Sequence, residues 1–177
     1  YVSSTQTKLK FKAFLKEKYN NDELVESVSN NQVFLNREKI KQLGLDLHKV
    51  QDAIVNEIIN YRNIDKAYTA YAMSNTSYSS GIEKLLQNGF NQKRSGDVIY
   101  VYDPATISYS LTGSTHGSGM SYDTHVPLLF YGNGINKGST VERTDIVDIA
   151  PTISSLLGIS FPNGNIGLPI KSALEQD

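Results

Sequence analysis

The chain has 177 residues, of which 39% are hydrophobic and 20% are charged, and this composition indicates a folded domain rather than a disordered segment. Its formal net charge of -1 argues against a nucleic-acid-binding domain, which would normally present a basic face. The chain contains no cysteine, which excludes disulfides, zinc–thiolate sites and cysteine nucleophiles. No stretch approaches the roughly 18 consecutive apolar residues that span a membrane.

The beginning of the sequence is atypical of a complete protein. Tyr1 is not a natural start residue, so we expect a segment cut from a longer chain. The lack of a visible signal peptide therefore says nothing about where the protein resides.

The first half of the chain predicts helices around a hairpin. Residues 7–19 place apolar side chains among lysines in a helix-like pattern. Residues 23–28 and 33–35 are short β-prone runs, and the Ser29-Asn30-Asn31 break between them predicts a hairpin turn. Asp46 then precedes a long amphipathic pattern and can cap its first turn. The apolar positions of that helix are Leu47, Val50, Ile54, Ile58 and Tyr61.

The second half alternates predicted strands and helices. Residues 64–70 read as a strand, and residues 78–86 as a helix that Gly89 ends. Residues 97–102 and 126–131 are continuous apolar runs, which are typical of strands buried on both faces of a sheet. This alternation predicts an α/β fold, a partial α/β/α sandwich with a mixed, mostly parallel sheet.

A last helix is predicted after Asp148, which we expect to cap it. Pro151 falls in its first turn, where a missing N–H costs little, and Gly158 ends it. The apolar positions of this helix are Ile149, Ile153, Leu156 and Leu157.

The Gly/Ser-rich loop at residues 113–127 carries the candidate chemistry. In α/β sheets, ligands collect at loops beyond the strand ends, and this loop holds His116, His125 and Asp123. A neutral imidazole is a good zinc ligand, and glycine beside it lets the backbone approach a metal or phosphate. A single histidine in a loop is, however, more often only a hydrogen-bonding residue than a metal ligand. His125 is interpreted as a structural residue and His48 as a solvated one.

Several segments resemble the alkaline phosphatase superfamily. Residues 115–118 (THGS) and 122–132 (YDTHVPLLFYG) resemble its final metal-binding motif. Residues 144–152 (TDIVDIAPT) and 166–170 (IGLPI) resemble later family segments, and residues 30–36, 66–69 and 93–98 resemble earlier ones. The branch most similar is that of the type I phosphodiesterases and nucleotide pyrophosphatases, in particular bacterial alkaline phosphatases with a threonine nucleophile.

The resemblance implies a zinc-dependent phosphate-ester hydrolase that forms a phospho-threonine intermediate. It implies two zinc ions in the parent and places one of their ligands at His116. The candidates for residues that orient this ligand without contacting the metal are Thr115, Asp123 and His125. The substrate implied is a small phosphate ester, and the family's usual location is the periplasm or the exterior of the cell.

The chain departs from the family pattern because the nucleophile and the other zinc motifs are missing. We therefore expect residues 1–177 to be the C-terminal portion of one domain. Residues 1–95 would supply peripheral elements, and residues 96–177 the core strands, the zinc-ligand loop and the final helix. A catalytic zinc normally takes three protein ligands, so the segment alone is expected to bind no zinc specifically and to hydrolyse nothing.

Two alternative functions stay open at this stage. One is another enzyme of the superfamily, such as a phosphodiesterase, nucleotide pyrophosphatase, sulfatase or phosphoglycerate mutase. The other is a non-catalytic surface module, in which Tyr68, Tyr71 and Tyr78 would form a recognition surface. In either case a sheet edge exposed by the cut predicts self-association of the segment.

Overall fold

The computed structural model describes residues 3–107 and 116–174. The chain forms two compact units, Tyr1–His125 and Val126–Asp177. Within the described residues, no helix has the length and apolar composition that crossing a bilayer requires.

The first unit contains most of the regular structure. Its elements are α1 (Ser4–Tyr19), β1 (Val25–Ser29), β2 (Gln32–Leu35), α2 (Arg37–Gln42), α3 (Leu47–Ile58), β3 (Ile64–Thr69), α4 (Ala70–Asn75), α5 (Gly81–Gly89), β4 (Val98–Tyr102) and α6 (Ser121–Thr124). The predicted first helix, hairpin, long helix and third strand are confirmed. The Asp46 carboxylate accepts the Lys49 amide at 3.1 Å, which confirms the predicted cap of α3.

Three short helices, α2, α4 and α6, were not predicted, and two of them, α2 and α4, begin at a side-chain cap. The Asn36 side chain accepts the Lys39 amide at the start of α2, and the Thr69 hydroxyl accepts the Ala72 amide at the start of α4. Each of these two helices has only six residues, which is too short for a recognisable apolar period.

The strands form one sheet in the order β1-β2-β4-β3, and every pair in it is antiparallel. The α/β class is confirmed, but the prediction of a mixed, mostly parallel sheet is wrong for the described residues. The continuous apolar run of β4 suggested a parallel strand. Burial on both faces depends on what covers the faces, however, and not on the direction of the neighbouring strands.

Strand β4 is buried along its whole length because helices cover both faces of the sheet. Val98, Tyr100 and Tyr102 face one core with α1 and α3, whose contributions include Phe11, Leu15, Val50, Ile54 and Ile58. Side chains alternate across a strand, so Lys66 and Tyr68 of β3, opposite Val101 and Ile99, lie on the other face. Helix α5 contacts them there. The unit is therefore layered helix, sheet, helix.

A single buried carboxylate joins the sheet to two helices. Asp97, 2% exposed, lies just before β4 and accepts the Leu35 amide at 2.8 Å. It also accepts Arg37 Nε at 2.9 Å and Gln51 Nε2 at 3.2 Å. The backbone of Asp97 bonds to Val33 and Ala70, so strands β2 and β3 meet at this residue as well.

The second unit contains a 3₁₀ turn (Ile146–Asp148), helix α7 (Ile149–Leu157) and a second 3₁₀ turn (Lys171–Ala173). The predicted helix and its end at Gly158, which has a left-handed backbone at φ 63°, are confirmed. The strand predicted at residues 126–131 is wrong, since no strand forms there and Leu129 and Tyr131 are 89% and 100% exposed. An apolar run becomes a strand only where a neighbouring strand pairs with its backbone.

Asp148 lies at the start of α7 as predicted, but its carboxylate does not bond to the first turn of that helix. It accepts the amides of Asp145 and Leu168 instead, each at 2.9 Å. Four residues later the buried Thr152 hydroxyl accepts the Ile170 amide at 2.9 Å. A Cβ at Gly167 would overlap the Val147 carbonyl oxygen, so the two segments pack too closely for any side chain there. Residues 145–152 and 166–170 thus form one hydrogen-bonded piece.

We expect Asp97→Asn to lower the free energy of unfolding by about 2–4 kcal/mol, because a buried charge pair and charge-assisted bonds are lost together. The amide would also direct a donor at groups that themselves donate. Urea unfolding measures the change, and Asp52→Asn on the exposed face of α3 is the matched control. A loss as small as that of the control would contradict the role given to Asp97.

Candidate metal-ligand loop

His116 lies in an exposed turn that is held by one carboxylate. Asp123 Oδ2 accepts the amide of Gly117 at 2.7 Å and that of Ser118 at 2.6 Å. Gly117 has φ +118°, a backbone conformation that favours glycine. Local sequence therefore produces this geometry: a glycine permits the turn, and an aspartate six residues later fixes it.

The charge of Asp123 is stabilised by these contacts. The Ser118 amide and hydroxyl, then the Gly117 amide, hold the pKa of the Asp123 carboxyl below its usual value, and its electrostatic interaction with His116 lowers it further. The carboxylate therefore lies in the electrostatic surroundings of the imidazole, while its hydrogen bonds go to the backbone of the turn.

Two further contacts, which sequence reasoning missed, connect this loop to the rest of the first unit. The Tyr122 hydroxyl accepts the Ala105 amide at 3.0 Å, just beyond the end of β4. Gly119 packs against Ile82 of α5, where a Cβ would lie 2.6 Å from the Ile82 Cδ1 atom. The glycine at position 119 is the feature of the sequence that could have indicated this close approach.

The other predicted site residues have different standings. His125 is exposed and ends α6, where its amide bonds to the Ser121 carbonyl at 3.0 Å. Thr115 lies outside the described residues. His48 is exposed, as predicted, with its ring edge-on to Tyr71 at 4.6 Å.

The described residues do not make a complete metal site. Among residues 3–107 and 116–174, no three His, Cys, Asp or Glu side chains lie close enough together to hold an ion. A catalytic zinc needs about three protein ligands, and His116 with Asp123 falls short of that number.

We expect Asp123→Asn to speed hydrogen exchange at the Gly117 and Ser118 amides about threefold or more, since charge-assisted bonds are roughly twice as strong as neutral ones. In the unchanged protein, the protection that the carboxylate gives is complete above the unfolded Asp pKa of about 3.9. It is lost as the pH falls through the lower folded pKa.

NMR-detected exchange, corrected for the intrinsic rate at each pH, measures this protection. The Asp123→Asn profile should show no acid step attributable to residue 123. Protection at both amides equal to that of the unchanged protein would contradict the role of the carboxylate.

The known proteins to which this chain is similar include alkaline phosphatases. Alkaline phosphatase PafA of Elizabethkingia meningoseptica is 35% identical over 168 residues, which cover 94% of this chain and 31% of that protein. A Myroides odoratus protein named calcium-transporting ATPase is 37% identical over 164 residues, 92% of this chain and 30% of that protein. Alkaline phosphatase PhoV of Synechococcus elongatus is 32% identical over 149 residues, 84% of this chain and 27% of that protein.

Solved structures agree with the sequence relatives. The crystal structure of wild-type alkaline phosphatase PafA superposes with a TM-score of 0.89 at 34% identity, covering 96% of this chain and 33% of that chain. No protein-family model matches the sequence. The chain thus spans about a third of the length of the proteins that it matches, and it has the fold of the corresponding part of PafA. Its sequence relatives and structural neighbours support a place in the alkaline phosphatase superfamily.

Proposed function

We propose that this chain is the C-terminal part of a zinc-dependent alkaline phosphatase, in which His116 is one of the zinc ligands. The whole protein would hydrolyse phosphomonoesters by transfer of the phosphoryl group to a threonine and then to water. The observation that carries the proposal is the turn at 116–118, whose two amides are bonded to the Asp123 carboxylate.

The turn has the properties that a metal-ligand loop needs. His116 is exposed, so its imidazole is accessible from outside the unit. The amides of the two residues that follow it, Gly117 and Ser118, are held by Asp123, whose negative charge favours an electropositive group nearby. Gly117 has open space where a side chain would project, so a neighbouring group can approach the turn closely there.

His116 can supply only one of the ligands, so the proposal requires residues outside this chain. No three ligand-type side chains cluster within the described residues. Paired metal ions in hydrolases of this type stabilise the attacking and leaving oxygens of an in-line displacement at phosphorus. The threonine nucleophile and the remaining zinc ligands would come from the part of the relatives' length that this chain does not span.

The apolar surface of the second unit supports the idea of a larger protein. Several of its large side chains are more than half exposed: Val126, Leu129, Tyr131, Val141, Ile146, Leu157, Ile159, Ile166 and Leu168. Monomeric proteins rarely expose contiguous apolar surface on a large scale. We infer that further polypeptide covers these residues. From the similarity to alkaline phosphatases, we also propose that the whole protein acts in the periplasm or outside the cell.

The role of His116 can be tested in the longer protein. We expect His116→Gln to lower zinc content and to reduce phosphomonoester hydrolysis by about 100-fold or more, since even residues behind a metal ligand are worth about 10- to 100-fold. Zinc is measured by elemental analysis and hydrolysis by phosphate release.

His125→Gln is the matched control, because His125 lies at the end of the same loop, and it should change both quantities far less. The 177-residue chain alone is the negative control, expected to bind no zinc specifically and to hydrolyse nothing. Unchanged zinc content and activity in His116→Gln would remove the ligand assignment, and activity in the purified chain alone would contradict the proposed division of the site.

The exposed apolar side chains of the second unit also predict self-association of the chain alone. We expect the weight-average mass from sedimentation equilibrium to rise with protein concentration. Replacing Leu129 and Tyr131 by Ser should reduce this association, whereas replacing the surface residues Lys137 and Glu142 by Ser should not. A single monomeric species over a 100-fold range of concentration would count against self-association. Such a range corresponds to about 3 kcal/mol in association free energy.

A further inference from the structure

None of the residues of helix α5 is buried, and polar contacts join the helix to its neighbours. Gln87 Nε2 donates to the carbonyl oxygens of Met73 at 2.9 Å and Thr76 at 2.6 Å. On the same helix, Glu83 contacts the sheet. With no fully buried side chain on the helix, these two side chains supply its polar contacts to the neighbouring elements.

Glu83 forms the connection between α5 and strand β3. Its Oε1 atom accepts the Lys66 amine at 2.9 Å and the Tyr68 hydroxyl at 2.6 Å. The hydrogen bond from Tyr68 has the larger effect and that from Lys66 the next, and together they lower the pKa of Glu83 to about 2. The carboxylate is therefore ionised at neutral pH. The Glu83 side chain is 23% exposed, which screens the pair only in part.

The same helix contacts the loop that carries His116. Ile82, adjacent to Glu83, packs so closely on Gly119 that a Cβ there would lie 2.6 Å from Cδ1 and 3.1 Å from Cγ1 of Ile82. Leu85, one turn further along α5, comes within 3.7 Å of the same point. Gly119 is three residues from His116 and one from Ser118, whose amide the Asp123 carboxylate holds.

We propose that Glu83 is a positioning residue for the His116 loop: it fixes α5 on the sheet, and α5 in turn supports the loop at Gly119. The inference deepens the proposed function and rests on it for its catalytic consequence, since a small misplacement of a ligand or reacting group is worth about 100-fold in rate. The placement of the loop itself depends only on the contacts described above.

The test uses ¹⁵N-labelled chain of 177 residues and NMR spectra of three variants. Glu83→Ala removes the contacts to Lys66 and Tyr68, Ile82→Ala removes the contact to Gly119, and Lys84→Ala is the matched control on the same helix. We expect the first two to shift the amide signals of Gly117, Ser118 and Gly119. Exchange at the Gly117 and Ser118 amides should speed up about threefold to tenfold, the range for partly exposed charged contacts. Lys84→Ala should do neither.

The amides of Ile99 and Val101 in β4 separate local from global effects, and they should keep their exchange rates in Glu83→Ala. Loop signals that do not respond to Glu83→Ala, or that change only in step with β4, would overturn the proposal. Unchanged loop signals in Ile82→Ala would also overturn the proposal.

Activity of the longer protein is a second, separate readout. We expect Glu83→Ala to lower kcat about tenfold or more with a smaller change in KM, because the loop is misplaced rather than the substrate site removed. If the loop signals respond while zinc content and hydrolysis do not, the positioning is upheld and its catalytic consequence fails, whereas the zinc-ligand role of His116 is decided by His116→Gln.

Discussion

The buried carboxylate of Asp97 is the interaction on which the first unit depends. It lies where β2, β4, α2 and α3 meet, and it accepts hydrogen bonds from one backbone amide and two side chains. A buried charge is tolerated only when its oxygens are paired, so these partners must be in place together. Strand β4 begins at this point, and its far end leads to the Ala105 amide that the Tyr122 hydroxyl accepts. The position of the His116 loop therefore depends, through β4, on a contact remote from it.

The structure divides the candidate site from its support. The only parts of the proposed chemistry present among the described residues are one imidazole and the carboxylate that holds its turn. The surrounding contacts, from β3 through Glu83 and α5 to Gly119, have no chemical role of their own. The proposed site would be assembled from several parts of a long chain, and the contacts of this unit would hold the His116 loop in position for it.

Local patterns in the sequence predicted much of the fold but not its long-range pairing. The α3 period, the Asp46 cap and the αL turn at Gly158 depend on neighbours within a few residues, so they were readable. Strand direction depends on which distant segment pairs, and the apolar run of β4 fits either direction. Residues 126–131 have the composition of a strand without a pairing partner among the described residues. At the site, the glycine–aspartate turn follows from nearby residues, whereas the Ile82 contact joins segments that no short-range pattern connects.

The contact between residues 145–152 and 166–170 sets a rule for which substitutions that region accepts. Asp148 and Thr152 bind the main-chain N–H groups of Leu168 and Ile170, so these two contacts exclude proline there but require no particular side chain. Pro169 stands between them, at the one position of the three whose nitrogen is not used. Alternating N–H groups of an extended segment point to opposite sides, so every second position is constrained by its backbone and the one between by shape alone. The positions of this segment that exclude proline should therefore alternate with positions that accept it.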